Sequence, residues 1–383
     1  MFFSVHQYSA GLSRGIMPLQ RLKLLIKKMK IWGLNFAPLN VPLSRRLQTL
    51  AAAAWIVSFA FGPIIGYVLA AIILLFIPWL RLPLLIYFFF MYCDRNSCIE
   101  GGRSSKYTKW MRNCAWWHYF RDFFPIKLVK TTDLDPSRNY LFCSFPHGVL
   151  STGAFCAFGT DTLNCQDLFP GLDFRLLTLE QHFKVPIMRE LPASFGCCSA
   201  SAASLEYLLS NKPEKLPGIN PNQKQGTAAV LVVGGATEAL LCKPGTYRIV
   251  LKRRKGFIKL ALKYGTPLVP VISFGETDLY DQVNNPEGSL VRKFQDKWQK
   301  ITGIAPVLAI GRGLFQYTFG IVPHRKPLVV VVGSPVEIPV IKTPTQEQID
   351  DYHEKFTNQL ITLFESEKSK YIKNYESISL TFE

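Results

Sequence analysis

The first 93 residues contain no aspartate and no glutamate, and between Leu47 and Tyr92 a single charged side chain, Arg81, interrupts an apolar run. So long an uncharged stretch excludes a disordered tail or a solvated linker. The nine cysteines form no CxxC pair, are odd in number and several sit in apolar runs. That argues against a disulfide framework or a zinc site and for a reducing compartment. No Asn-x-Ser/Thr acceptor occurs, in keeping with a body that faces the cytosol. Also missing are a phosphate loop GxxxxGK(S/T), a strand-following GxGxxG, a GxSxG serine elbow and an HExxH helix, which argues against P-loop, dinucleotide-binding, serine-hydrolase and zinc-protease chemistry. His118, His182, His324 and His353 show no ligand spacing, so no metal is expected. No internal repeat or heptad array is present.

What is there is apolar and basic. Of 383 residues, 48% are hydrophobic and 13% aromatic, and 44 Lys+Arg against 27 Asp+Glu leave a formal charge of +17. An excess of that sign calls for an anionic partner: lipid headgroups, a phosphorylated small molecule or nucleic acid. Nucleic acid would require basic stripes with interleaved aromatics and sits badly with a membrane segment, so it is not expected.

A spanning helix needs about 20 apolar residues. The run over 47–93 suits two segments, with Pro63, Pro78 and Pro83 as break points; a core hairpin of a soluble protein is the alternative. Arg45 and Arg46 precede it and Arg95, Arg103, Lys106, Lys109 and Arg112 follow. Basic flanks on both sides place both ends in the cytosol and make the segment a transmembrane or re-entrant hairpin with Arg81 near its far turn. The chain therefore divides into a basic cytosolic segment 1–46, the hairpin 47–93 and a cytosol-facing body 94–383. Residues 19–32 are basic and amphipathic, suited to an anionic leaflet or to a flexible tail.

The body reads as α/β. Runs at 139–145, 227–233, 267–274 and 326–332 look like buried strands, and each ends at Gly or Pro-His-Gly. Residues 256–264 and a segment opening at Thr345, with Gln348 in capping-box position, read as helices. Residues 211–226, with three Pro and two Gly, read as a surface loop.

In such sheets sites form beyond the carboxyl ends of strands. His147, between Pro146 and Gly148, suits a general base on a hydroxyl, or equally a structural turn. Glu238, after Gly234 and Gly235, suits an orienter of that imidazole, or a helix N-terminal acid. Glu276, after a strand and Gly275, is a further pocket candidate. Arg253, Arg254, Lys255 and Gly256 form a dense cationic turn able to clamp phosphates, or a solvated face. Cys197 and Cys198 lie among small residues and read as a tight loop rather than a nucleophile.

Taken in order, WMRNCAWWHYFRDFFPIKLVKT, PHG with Gly153–Phe155, FPG at 169–171, VVGGATEAL, LKRRKGFIKLALKYGTPLVPVISFGE, GRGLF at 311–315 and KPLVVVVGSPV resemble the type 2 diacylglycerol acyltransferase family, which includes monoacylglycerol and wax-alcohol acyltransferases. The likeness runs from about Leu47 to the C-terminal helix. It implies a glycerolipid-acyltransferase-like sheet flanked by helices behind a two-segment membrane hairpin. It implies an endoplasmic reticulum membrane enzyme, also found on lipid droplets, that moves a fatty acyl group from acyl-CoA to an acylglycerol hydroxyl, with diacylglycerol as the first acceptor and monoacylglycerol or a long-chain alcohol as alternatives. The family's HPHG motif falls on Phe145, Pro146, His147 and Gly148. His147 takes the presumed catalytic position, and Phe145 replaces the first histidine. The Asp of the wider H-x4-D pattern is absent here, since neither Ser151 nor Thr152, at the fifth place after His147, is acidic, which turns attention to Glu238. Backbone amides near Gly148, Gly234 and Gly235 are oxyanion candidates, and Arg254 and Lys255 match the family's basic block. No cofactor is expected beyond acyl-CoA as co-substrate. Membrane lipids and an acylglycerol or lipid alcohol are the expected partners, and a homo-oligomer is compatible with the sequence. Phe145 also leaves open a non-catalytic lipid-binding scaffold; a membrane hydrolase of the same class lacks its serine elbow.

Overall fold

The computed structural model describes residues 29–31, 33–38, 40–210 and 225–383. Most of the basic segment 19–32 and of the loop 211–226 lies outside the described residues. Strands β1 (Met29–Ile31) and β2 (Leu34–Phe36) pair antiparallel ahead of helix α1 (Leu43–Phe76), which is long and apolar enough to cross a membrane. A break at Ile77 separates it from α2 (Pro78–Cys93).

Helix α1 occupies two environments. Ala51, Ala52, Trp55 and Ile56 are buried in the body's core, where the alanines let the backbone lie close against α3 (Trp116–Phe123). The membrane segment read as starting at 47 therefore begins inside the protein. A five-residue π-helical stretch, Val57–Phe61, marks the changeover. Beyond it Ile64, Leu75 and Phe76 are exposed, and only 17% of the most apolar window of α1 is buried. A core helix would be buried, so this half is built for an apolar surround. Arg81 sits at the break, and its guanidinium donates to the carbonyls of Leu74 (2.7 Å) and Leu75 (3.1 Å). It thus satisfies acceptors that the helix end leaves unpaired.

At its other end α2 is tied to the body by ions. Arg189, 1% exposed, donates to Asp94 Oδ2 (2.6 Å), and Arg103 bridges Asp94 and Glu190, both at 2.5 Å. The hydroxyl of Tyr87 donates to Glu190 Oε1 at 3.0 Å.

The body's central sheet uses β3 (Lys127–Lys130), β4 (Tyr140–Phe145), β5 (Leu172–Thr178), β6 (Cys198–Ser199), β7 (Gly226–Val232), β9 (Leu268–Phe274) and β12 (Val329–Val332), in the order β3-β12-β9-β4-β7-β5-β6. From β9 to β6 all neighbours are parallel, while β12 runs antiparallel to β9 and parallel to β3. Outside it, β8 (Tyr247–Ile249) pairs with β13 (Leu380–Phe382), and β10 (Asp281–Gln282) with β11 (Ala309–Ile310).

Helices cover both faces. Alternation along β4 sends Tyr140 and Phe142 toward Phe158, Phe174 and the first half of α1. It sends Leu141, Cys143 and Phe145 toward α4 (Ala202–Leu209), α5 (Gly256–Tyr264) and α7 (Gln346–Tyr371). Burying each of these aromatic side chains contributes about 1.5–3 kcal/mol. Helix α6 (Leu290–Thr302) lies at the periphery with one buried residue, Gln295. The box at the start of α7 closes as its sequence indicates: Thr345 Oγ1 accepts from Gln348 N and Gln348 Oε1 from Thr345 N. All nine cysteines are free thiols.

Candidate active site

Three adjacent parallel strands, β7, β4 and β9, release Glu238, His147 and Glu276 at their carboxyl ends. The turn His147–Gly153 lies between the two carboxylates. Glu238 Oε1 accepts from the backbone N–H of His147, and its Oε2 accepts from Val250 N at 2.9 Å. Glu276 accepts from the amides of Thr152 (2.7 Å) and Gly153 (2.8 Å), the first turn of the helix that follows. Both carboxyls are 1% exposed, and burial pushes each up to about 7 against the pull of these amides.

Glu238 thus meets His147 through the backbone, and the expected carboxylate–imidazole contact is absent. The ring is set by its neighbour instead. Nδ1 lies 3.1 Å from the Gly148 carbonyl oxygen. A carbonyl only accepts, so Nδ1 carries the proton and the Nε2 lone pair is left for another donor. Burial holds the imidazole below its ordinary pKa, against the raising effect of that carbonyl. The His147 carbonyl in turn accepts from Ser151 N (2.9 Å) and Ser151 Oγ (3.1 Å), which close the turn.

Two glycines are demanded by close approach. Gly148 has φ 61°, and a Cβ there would lie 2.6 Å from Glu276 Cγ. A Cβ on Gly234 would lie 2.0 Å from Glu238 Oε2. Gly235, with φ 58°, opens the short helix that carries Glu238. Pro146 follows Phe145 through a cis peptide bond. Phe145 itself is fully buried on the far face of the sheet, 6.3 Å from the Phe356 ring. It faces the core under α7, so the side chain at this motif position does not share the turn of His147.

The basic turn adjoins this cluster. Arg254 Nη2 donates to Gly234 O (3.3 Å) and Thr237 Oγ1 (3.4 Å), joining the turn to the loop of Glu238. Arg253 is exposed. Lys255 forms an ion pair with Asp350 of α7 at 2.6 Å, and Gly256 begins α5 with open space where a Cβ would be. Cys197 and Cys198 are buried with thiols pushed up to about 12 by burial, which suits packing rather than nucleophilic attack. Among the described residues no three His, Cys, Asp or Glu side chains converge as a metal site.

Glu276 is legible in the sequence as a pocket candidate, but its two amide bonds are not. The signal for its place was available: Glu276, like Glu238, follows a buried strand and a glycine, directly after Gly275 where Glu238 is three residues past Gly235. Ion-pairing of Lys255 with a helix nearly a hundred residues away had no such trace.

A model of the diacylglycerol acyltransferase family matches residues 72–381. This chain belongs to that family. It is 45% identical over 336 residues to the diacylglycerol O-acyltransferase 2 of Dictyostelium discoideum, covering 88% of this chain and 96% of the relative. It is 44% identical to the 2-acylglycerol O-acyltransferase 1 of Bos taurus, with the same two coverages. With the human diacylglycerol O-acyltransferase 2 it shares 42% identity, over 85% of this chain and 80% of the relative. Among solved structures, the 1-acyl-sn-glycerophosphate acyltransferase PlsC of Thermotoga maritima aligns over 74% of this chain and 97% of its own at 12% identity and a TM-score of 0.35.

Proposed function

We propose that this chain is a membrane O-acyltransferase that moves a fatty acyl group from acyl-CoA to the free hydroxyl of diacylglycerol, giving triacylglycerol. The observation that carries this reading is His147 at the end of the central strand with Nδ1 held by the Gly148 carbonyl, which leaves the Nε2 lone pair for another donor, in a chain 41–45% identical over most of its length to diacylglycerol and 2-acylglycerol O-acyltransferases. A second reading, with monoacylglycerol as acceptor, is favoured by the 44% identity to a 2-acylglycerol O-acyltransferase.

The reaction needs a base, a place for negative charge and a docked donor. Nε2 of His147 takes the acceptor's hydroxyl proton as its oxygen attacks the thioester carbonyl. Amides of Gly148, Gly234 or Gly235 steady the oxyanion. The C–S bond then breaks, and the imidazolium returns its proton to the departing coenzyme A thiolate. Glu238 holds the His147 backbone in place and, when ionised, offsets the imidazolium charge. Arg253 and Arg254, with Lys255 and the start of α5 at Gly256, take the phosphates of acyl-CoA. No resident cofactor enters this scheme.

The second half of α1 and α2 form a hairpin in the endoplasmic reticulum membrane, entering and leaving on the cytosolic side, and the same geometry suits a lipid droplet. Residues Gly62–Phe76 and Pro78–Cys93 are 15 and 16 residues long, about 22–24 Å each, against a hydrocarbon core of about 30 Å. Those lengths favour a hairpin that dips into the bilayer. The deciding experiment is a microsomal assay with labelled oleoyl-CoA offered diacylglycerol, monoacylglycerol and a long-chain alcohol side by side. Labelled triacylglycerol is expected; no labelled ester with any acceptor sinks the proposal.

A further inference from the structure

Helix α6 carries an apolar stripe that the body leaves uncovered. Leu290, Phe294, Trp298 and Ile301 recur at helical spacing on one face and are 84%, 59%, 46% and 74% exposed. The same helix holds four Lys or Arg against one acid, Asp296, which is paired with Arg292 at 2.9 Å. The chain then continues through β11 into residues 311–322, which expose Phe315 (69%) and Phe319 (54%). An exposed patch of this size on a folded body marks a contact surface. An amphipathic helix with large apolar side chains beside lysines matches an interfacial helix on a lipid leaflet.

The patch is continuous with the proposed membrane element. Ala37 N donates to Phe315 O and Tyr317 N to Asn35 O, both at 2.8 Å, so the strand before α1 is stitched to the exposed loop. Positive charge gathers at that join. Arg312 stacks on Tyr317 (4.2 Å) and Arg325 lies over the Phe123 ring (4.4 Å). Burial, helped by Arg45 and Arg312, pushes Arg325 down to about 10. Its guanidinium donates to Gln48 Oε1 and to the Asp122 carbonyl.

We infer that α6 and the 311–322 loop form a second, monotopic docking face that lies in the headgroup region of an anionic leaflet and holds the body flat against the membrane. This rests on the reading that α1 and α2 enter the bilayer. Lys293, Lys297 and Lys300 flank the stripe and meet the lipid phosphates.

The test uses the full chain in nanodiscs containing phosphatidylserine, with Cys93→Ser and Cys114→Ser to remove the accessible thiols. Single Phe294→Cys, Ile301→Cys and Leu75→Cys variants carry a bimane label. At 294 and 301 the expected result is quenching by a shallow doxyl lipid and exclusion of aqueous iodide. That doxyl quenching should fall when phosphatidylserine is replaced by phosphatidylcholine or when Lys293, Lys297 and Lys300 become Glu. Iodide access at 301 with doxyl quenching kept at 75 overturns the docking face alone. Exclusion of both quenchers at 301 also overturns it, because a second protein surface then covers the stripe. Loss of doxyl quenching at 75 overturns the membrane reading itself.

Discussion

The two nitrogens of His147 are not equivalent: Nδ1 is held by the Gly148 carbonyl, and Nε2 is the atom proposed to take the acceptor's proton. General-base assistance is worth about 10²–10⁴-fold, so His147→Ala should lower kcat by that order while the melting temperature of the purified protein stays near wild type. Transfer at wild-type rate in that variant removes the base. The cationic turn should divide unequally. Lys255 is already paired with Asp350, whereas Arg254 reaches the Glu238 loop with only neutral acceptors. Arg254→Ala should raise KM for acyl-CoA in a salt-sensitive way, and Lys255→Ala should do so less. A change confined to the acylglycerol KM would contradict the assignment. Glu276→Ala strands two buried amides, each costing about 1–3 kcal/mol, and should lower the melting temperature as well as the rate.

The helix–break–helix at 43–93 is held at its base by charge. Asp94→Ala takes from the buried Arg189 guanidinium its 2.6 Å carboxylate and leaves it Glu190 at 3.9 Å; breaking a buried pair costs up to about 3–5 kcal/mol. The expected outcome is a lower melting temperature with earlier proteolysis after Cys93, and an unchanged temperature means the network is dispensable. What was legible in the sequence follows from similar physics. β4, β7, β9 and β12 read as strands because buried parallel strands are continuous apolar runs that stop at Gly or Pro. β5 hides because Asp173 and Arg175 interrupt its pattern; the structure pairs them at 2.7 Å with Arg175 only 4% exposed. The capping box of α7 is local and reads directly. The bond from Glu238 to a backbone amide leaves no mark in side-chain spacing, which is why its relation to His147 was legible as a neighbourhood but not as a contact.

Over the whole molecule, buried acids and half-buried histidines oppose one another in pH. Glu238 and Glu276 are raised from 4.5 to about 7. Between those values the folded state binds more protons than the unfolded, so each carboxyl withdraws stability as pH rises, roughly 3 kcal/mol by the linkage relation. His182 is lowered from 6.5 to about 4 by burial, and His147 and His353 are lowered in the same direction. Their unfolded forms bind the extra protons, so they add stability as pH climbs toward 6.5. Two carboxyls thus outweigh His182, and the wild-type melting temperature should fall as pH rises from 5 to 7. Glu238→Gln with Glu276→Gln removes the first set, and the melting temperature should then rise with pH. His182→Gln removes a large part of the second, and it should fall more steeply than in wild type. Melting curves of the three proteins in the same detergent decide the matter: slopes that run parallel would mean that neither set is buried as drawn, and the His147 turn would lose the two carboxylates said to hold it.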